Sequence, residues 1–271
     1  MGASRYYFVV NRRFPGGDAR RDRPAGPRAR RPETERPRPE VDESRRPVAP
    51  ALPEDVDPAD LDRDVQRELM ALPTGLAELI SKHLVAAARL LDDDDPKQAL
   101  EHARFVRTRA ARVPIVREAA GVVAYHAQEW AEALSELRAA RRLGGGPGLL
   151  AMMADCERAL GRPERALDLA RSPEARQLAP EDAAELRIVA SGARRDLGQP
   201  DAAVVALQGP DLDLARRDPW SGRLFYAYAD SLATVGRIDE AVRWFMAAAD
   251  ADEDGETDAA ERAAELGAGP S

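Results

Sequence analysis

The chain has 271 residues, 40 basic against 48 acidic side chains, and a net charge of −8. That length holds one large domain or two ordinary ones. A lone cysteine, Cys156, excludes a disulfide framework and suits a reducing, cytoplasmic setting, and no apolar run is long enough to span a membrane.

The charge is uneven along the chain. The first fifty residues carry 13 Arg and 7 acidic side chains, a net of +6, which leaves −14 on the rest. Residues 15–53 are rich in Arg, Pro, Gly and Glu with almost no aromatic, so residues 1–56 read as a disordered tail that cannot bury enough apolar surface to order itself. Tyr6–Val10 is apolar but too short for a signal segment. Arg20-Arg21, Arg28–Arg31 and Arg45-Arg46 offer phosphate contacts, which makes nucleic acid an alternative partner through residues 1–50. Acidic residues interrupt these pairs and no aromatic is interleaved, so a solvated leader is the plainer reading. Only Lys82 and Lys97 are lysine, a bias of the kind a GC-rich, actinobacterial-like genome imposes.

Helical structure is expected from Asp57, an N-cap followed by Pro58. Leu61, Val65, Leu69 and Leu72 then trace a leading helix that stops at Pro73. Helix pairs are expected at 75–91 with 96–112, 114–127 with 130–143, 149–160 with 163–171, 181–197 with 200–207, and 222–235 with 238–249. A short helix at about 257–266 closes the series. Pro173 and Pro210 cut the second helices of the third and fourth pairs short and leave loops at 172–180 and 209–219. The repeat domain is thus expected at 57–267, with 268–271 as a disordered end.

One register links these pairs. Ala99, Ala133, Ala166, Ala203 and Ala241 recur at intervals of 34, 33, 37 and 38, and Asp94, Gln128, Gly161, Gly198 and Gly236 stand five residues before them. A period near 34 marks stacked helix–turn–helix repeats. The second pair adds Gly121, Trp130 and Ala140, and the fifth adds Ala229, Ile238, Phe245 and Ala248. In these residues the chain resembles the tetratricopeptide-repeat (TPR) family over about residues 75–250. The resemblance implies an all-α fold: a right-handed α-solenoid of about five TPR-like helix pairs with a leading helix and a C-terminal capping helix. It also implies a non-enzymatic scaffold that binds another protein on its concave face.

The first helix of each TPR pair lines that face. The carried-over positions are Leu84, Val85 and Ala88; Glu118, Val122, Tyr125 and His126; Met152, Asp155 and Arg158; Ile188, Val189 and Arg195; and Arg223, Tyr226 and Asp230. Tyr125, His126, Arg158, Ile188, Arg195 and Tyr226 are the candidate partner-binding residues. Together these positions describe a mostly apolar trough with scattered charge, suited to an amphipathic helix or apolar segment, although each is weighed evenly against packing between repeats. None is the Lys or Asn that TPR proteins use to hold carboxylate-ended tails.

No catalytic constellation, cofactor motif or metal set is expected. His83, His102 and His126 have no partner at a motif spacing, and Cys156 reads as a small buried hydrophobe. Gly144–Gly146 lacks the Lys-Ser/Thr of a phosphate loop. Asp250, Asp252, Asp254, Gly255 and Glu261 match a calcium-loop pattern, but Thr257 and Arg262 replace expected apolar residues, so an acidic linker with Asp258 and Glu261 as a capping box is favoured. The Asp92–Asp95 run reads as a solvated turn that favours the following helix N-terminus.

Overall fold

A computed structural model describes residues 49–253 and 255–268. The chain is an all-α stack of helical hairpins, with no strand among the described residues. After a 3₁₀ turn at Pro58–Asp60 come α1 (Arg63–Leu69), α2 (Thr74–Asp92), α3 (Pro96–Ala110), α4 (Pro114–His126), α5 (Trp130–Arg142) and α6 (Leu150–Ala159). Then follow α7 (Pro163–Ala170), α8 (Pro180–Asp196), α9 (Pro200–Leu207), α10 (Ser221–Thr234), α11 (Ile238–Ala251) and α12 (Ala259–Gly267). Each helix from α2 onward packs on the next, and first helices also meet across hairpins, α2 with α4, α6 with α8 and α8 with α10.

The hairpin turns explain the register. Asp94, Gln128, Gly161, Gly198 and Gly236 all take left-handed backbone, with φ of 58°, 61°, 72°, 68° and 78°. In each turn the next amide reaches back to a carbonyl five residues earlier: Asp95 to Leu90, Glu129 to Ala124, Arg162 to Glu157, Gln199 to Arg194 and Arg237 to Leu232, at 2.7–3.0 Å. This is the Schellman closure of a helix C-terminus. The same residue is the N-cap of the second helix, and its carbonyl accepts from the register alanine four residues on. All five alanines are fully buried. The spacing of five is therefore one left-handed residue plus one helical turn, ending at an alanine buried in the hairpin.

Gly121 shows how tight that approach is. A Cβ there would lie 2.7 Å from Cγ and Cδ2 of Leu137 and 3.1 Å from its backbone nitrogen.

Helices α7 and α9 are eight residues each. After α7 a 3₁₀ turn at Pro173–Gln177 carries the chain to α8. After α9 the chain runs through 208–220, held by Asp211 between Arg187 and Arg216. The leading segment differs from expectation. Asp57 caps only the short 3₁₀ turn; Leu61 is extended, and Asp62 caps α1 anew. Packing also begins ahead of Asp57, because Leu52 and Val56 join the core under α2, and Arg89 of α2 pairs with Asp55 and Asp60.

Candidate functional site

The first helices of the hairpins meet along one face, and side chains there link hairpin to hairpin. The Tyr125 hydroxyl on α4 donates to Asp155 on α6 at 2.6 Å. Arg158, also on α6, donates to Asp155 at 2.7 Å and to Asp196 on α8 at 2.7 Å. Arg195 on α8 bonds Asp230 on α10, and Arg262 on α12 reaches the other oxygen of Asp230 at 3.5 Å. Tyr226 on α10 lies near Asp258, and burial together with that carboxylate pushes its hydroxyl up to about 12. Ser191 and Ser231 bond at 3.2 Å between α8 and α10.

This row is polar. The apolar positions expected in the trough, Leu84, Val85, Val122 and Met152, are all buried in the core. Hydrophobic burial outweighs their display to solvent. Ile188 is half-buried against the C-terminal core rather than open on the face. Tyr125, His126, Arg158, Arg195 and Tyr226 stay at least partly accessible beside their carboxylates. Arg158 is three-quarters covered and sits over Gly192, where a Cβ would lie 2.8 Å from its guanidinium carbon. His126 packs edge-on to Tyr125, its Nε2 is buried without a partner, and burial lowers its pKa. Tyr125 in turn lies edge-on to Trp130, with centroids 5.3 Å apart.

Asp196, Asp258 and Arg262 belong to the row, and residue-type carry-over missed them. Their signal was present: Arg158 with Asp196, and Arg195 with Asp230, stand about one repeat apart.

A second set of charges lies inside the stack. Glu136 of α5 is buried between Arg107 and Arg117, and Glu157 of α6 between Arg138 and Arg162. Glu185 of α8 is buried against Arg223 of α10. These carboxylates are tied to more exposed guanidiniums, which offsets the cost of burying charge.

The remaining candidates take structural places. His83 and His102 face each other inside the first hairpin, Nδ1 to Nδ1 at 2.9 Å. Cys156 is fully buried, and burial pushes its thiol up to about 12. Asp95 caps α3 through the Gln98 amide. In the C-terminal acidic loop, Asp252 accepts from the Glu256 and Thr257 amides and from the Thr257 hydroxyl, so both its oxygens serve the loop itself. Asp254 lies outside the described residues, and among those described no cluster of His, Cys, Asp or Glu could hold a metal. Asp258 makes no side-chain cap to α12. The capping box expected there does not form: the Asp258 backbone, at φ −87° and ψ 24°, is not in the extended conformation of a capping residue. The arginine pairs of the tail, and the nucleic-acid reading built on them, lie at residues 1–48, outside the described residues. No described helix is long and apolar enough to cross a membrane.

No protein-family model matches the chain, and no curated protein sequence matches it. Among solved structures it is similar to the crystal structure of YrrB, described as a TPR protein with an unusual peptide-binding site. The two share 19% identity over 69% of this chain and 90% of that one, with a TM-score of 0.44.

Proposed function

We propose that this chain is a non-enzymatic scaffold or adaptor that binds a peptide or helix of a partner protein along the first-helix face. The repeat domain, residues 57–267, carries the binding, and we infer a cytoplasmic setting from its single, buried cysteine. The carrying observation is the row of half-exposed polar side chains from Tyr125 through Arg158 and Arg195 to Tyr226, contributed by four successive hairpins. A partner's carboxylate, amide or guanidinium can replace one member of each pair without burying an unpaired charge. Tyr and Arg also contribute binding energy out of proportion to their number. The face therefore suits a polar, hydrogen-bonding segment rather than the apolar helix that an apolar trough would take.

The test is a peptide array probed with the full chain and with Tyr125→Ala, Arg195→Ala and Tyr226→Ala, each first checked for native helix content. Selected peptides should lose about tenfold in affinity with at least two of the three variants. Peptides that bind all variants like the parent, or an array with no selective binder, would remove the proposal.

A further inference from the structure

A cleft of about 530 Å³ lies beside the C-terminal end of α5, walled by α5, by Leu169 of α7 and by the 3₁₀ turn, with Met153 of α6 beneath, and it shares no residue with the Tyr125–Tyr226 row. Arg141 and Arg142 line its rim, Glu174 and Gln177 stand opposite, and the half-buried Leu169 supplies apolar surface over the buried Met153. We propose that this cleft binds an acidic, extended peptide segment of a partner protein. Its carboxylates pair with Arg141 and Arg142, and an apolar side chain seats on Leu169.

Arg141 carries the argument. Its side chain keeps only 25% of its exposure, yet its nearest carboxylate oxygen, on Glu174, is 3.7 Å away. That is beyond hydrogen-bond distance. Arg142 is exposed and forms no ion pair among the described residues. Arg138 lines the same cleft but is committed to the buried Glu157. Basic residues in a last helical turn ordinarily just answer the helix dipole from solvent. Here packing holds one guanidinium against the cleft with its fork unfilled, the geometry that takes a carboxylate in two parallel bonds.

The cleft's origin and size argue for a peptide. Its outer wall is the turn at Pro173–Gln177, which exists because Pro173 ends the run that would otherwise lengthen α7. The cleft is open along the surface and its volume is well beyond one anion, as an extended segment requires. Apolar surface from Leu169 beside the guanidiniums also matches the Arg-enriched, apolar centres of protein interfaces. A nucleic-acid backbone would find no use for that apolar surface.

The test is fluorescence anisotropy of the full chain with an end-capped, fluorescein-labelled peptide of alternating glutamate and leucine. Saturable binding is expected to weaken about tenfold in Arg141→Ala, and further when Arg142→Ala is added. Glu174→Gln removes the competing carboxylate and should tighten binding about threefold, a gain that misfolding cannot produce. Arg195→Ala and Tyr226→Ala should leave this binding unchanged, which separates the cleft from the first-helix face. Undiminished binding in the double variant would overturn the proposal. So would equal binding of an alternating glutamine–leucine peptide, or displacement of the probe by a single-stranded oligonucleotide at equal concentration.

Discussion

The guanidinium of Arg158 rests on Gly192, one hairpin away, and from that seat reaches carboxylates on two helices, Asp155 and Asp196. A methyl group at residue 192 would take the place the guanidinium now holds. Gly192→Ala is expected to displace Arg158 and cost about 1–2 kcal/mol in urea unfolding through the lost charge-assisted bonds. In an Arg158→Ala background the same change should be neutral, or stabilising by up to about 1 kcal/mol, because alanine is the better helix former. Additive effects in that double-mutant cycle would contradict the coupling.

Gly121 makes a harder contact. Its missing Cβ faces the branch point and backbone of Leu137, which cannot swing aside as an arginine can. Gly121→Ala should destabilise by about 1–3 kcal/mol through overpacking, more than Gly192→Ala. A smaller loss at 121 than at 192 would show that the α4–α5 approach is looser than described.

The His83–His102 pair sets a pH dependence. Burial, then the neighbouring His102 and Arg109, push His83 down to about 4, and burial lowers His102 as well. Both folded values lie below the unfolded value of about 6.5, so the unfolded chain binds protons first as pH falls. The stability these neutral rings allow is complete above about pH 6.5 and is lost as pH falls toward 4. The urea midpoint should drop between about pH 7 and pH 4.5, and drop less in the His83→Leu/His102→Leu double variant. Parallel slopes for the two proteins would remove the pair from the account.

Cys156 should be silent in the folded protein. It is fully buried, and burial, with Asp155 and Glu157 nearby, raises its thiol to about 12. A thiol-reactive dye is expected to label it at the rate of unfolding and not in proportion to dye concentration. Fast, dye-limited labelling of native protein would place the thiol near the surface.

Glu136 joins three helices through Arg107 and Arg117. Glu136→Gln should cost about 1–3 kcal/mol, because two guanidiniums lose their charged acceptor. A midpoint unchanged from the parent would mean the pair only balances its own burial.

The sequence by itself determined the hairpins. Five left-handed turn residues, each followed by a fully buried alanine, repeat a local instruction: end one helix, cap the next, bring the backbones together. Such rules act over a few residues, so they are legible without neighbours. Pro173 and Pro210 likewise announced the short α7 and α9.

The character of the candidate face was not legible in this way. Val122 and Met152 stand on the same helices as Tyr125 and Arg158, and sequence alone could not say which of them would be covered. For Arg158 with Asp196 and Arg195 with Asp230 it offered only a spacing of about one repeat, and how the hairpins stack decided that these pairs form. Tertiary structure decided that the apolar residues would fill the core, where burial is favourable. It left a polar row behind, and it opened a basic cleft where a proline had shortened a helix.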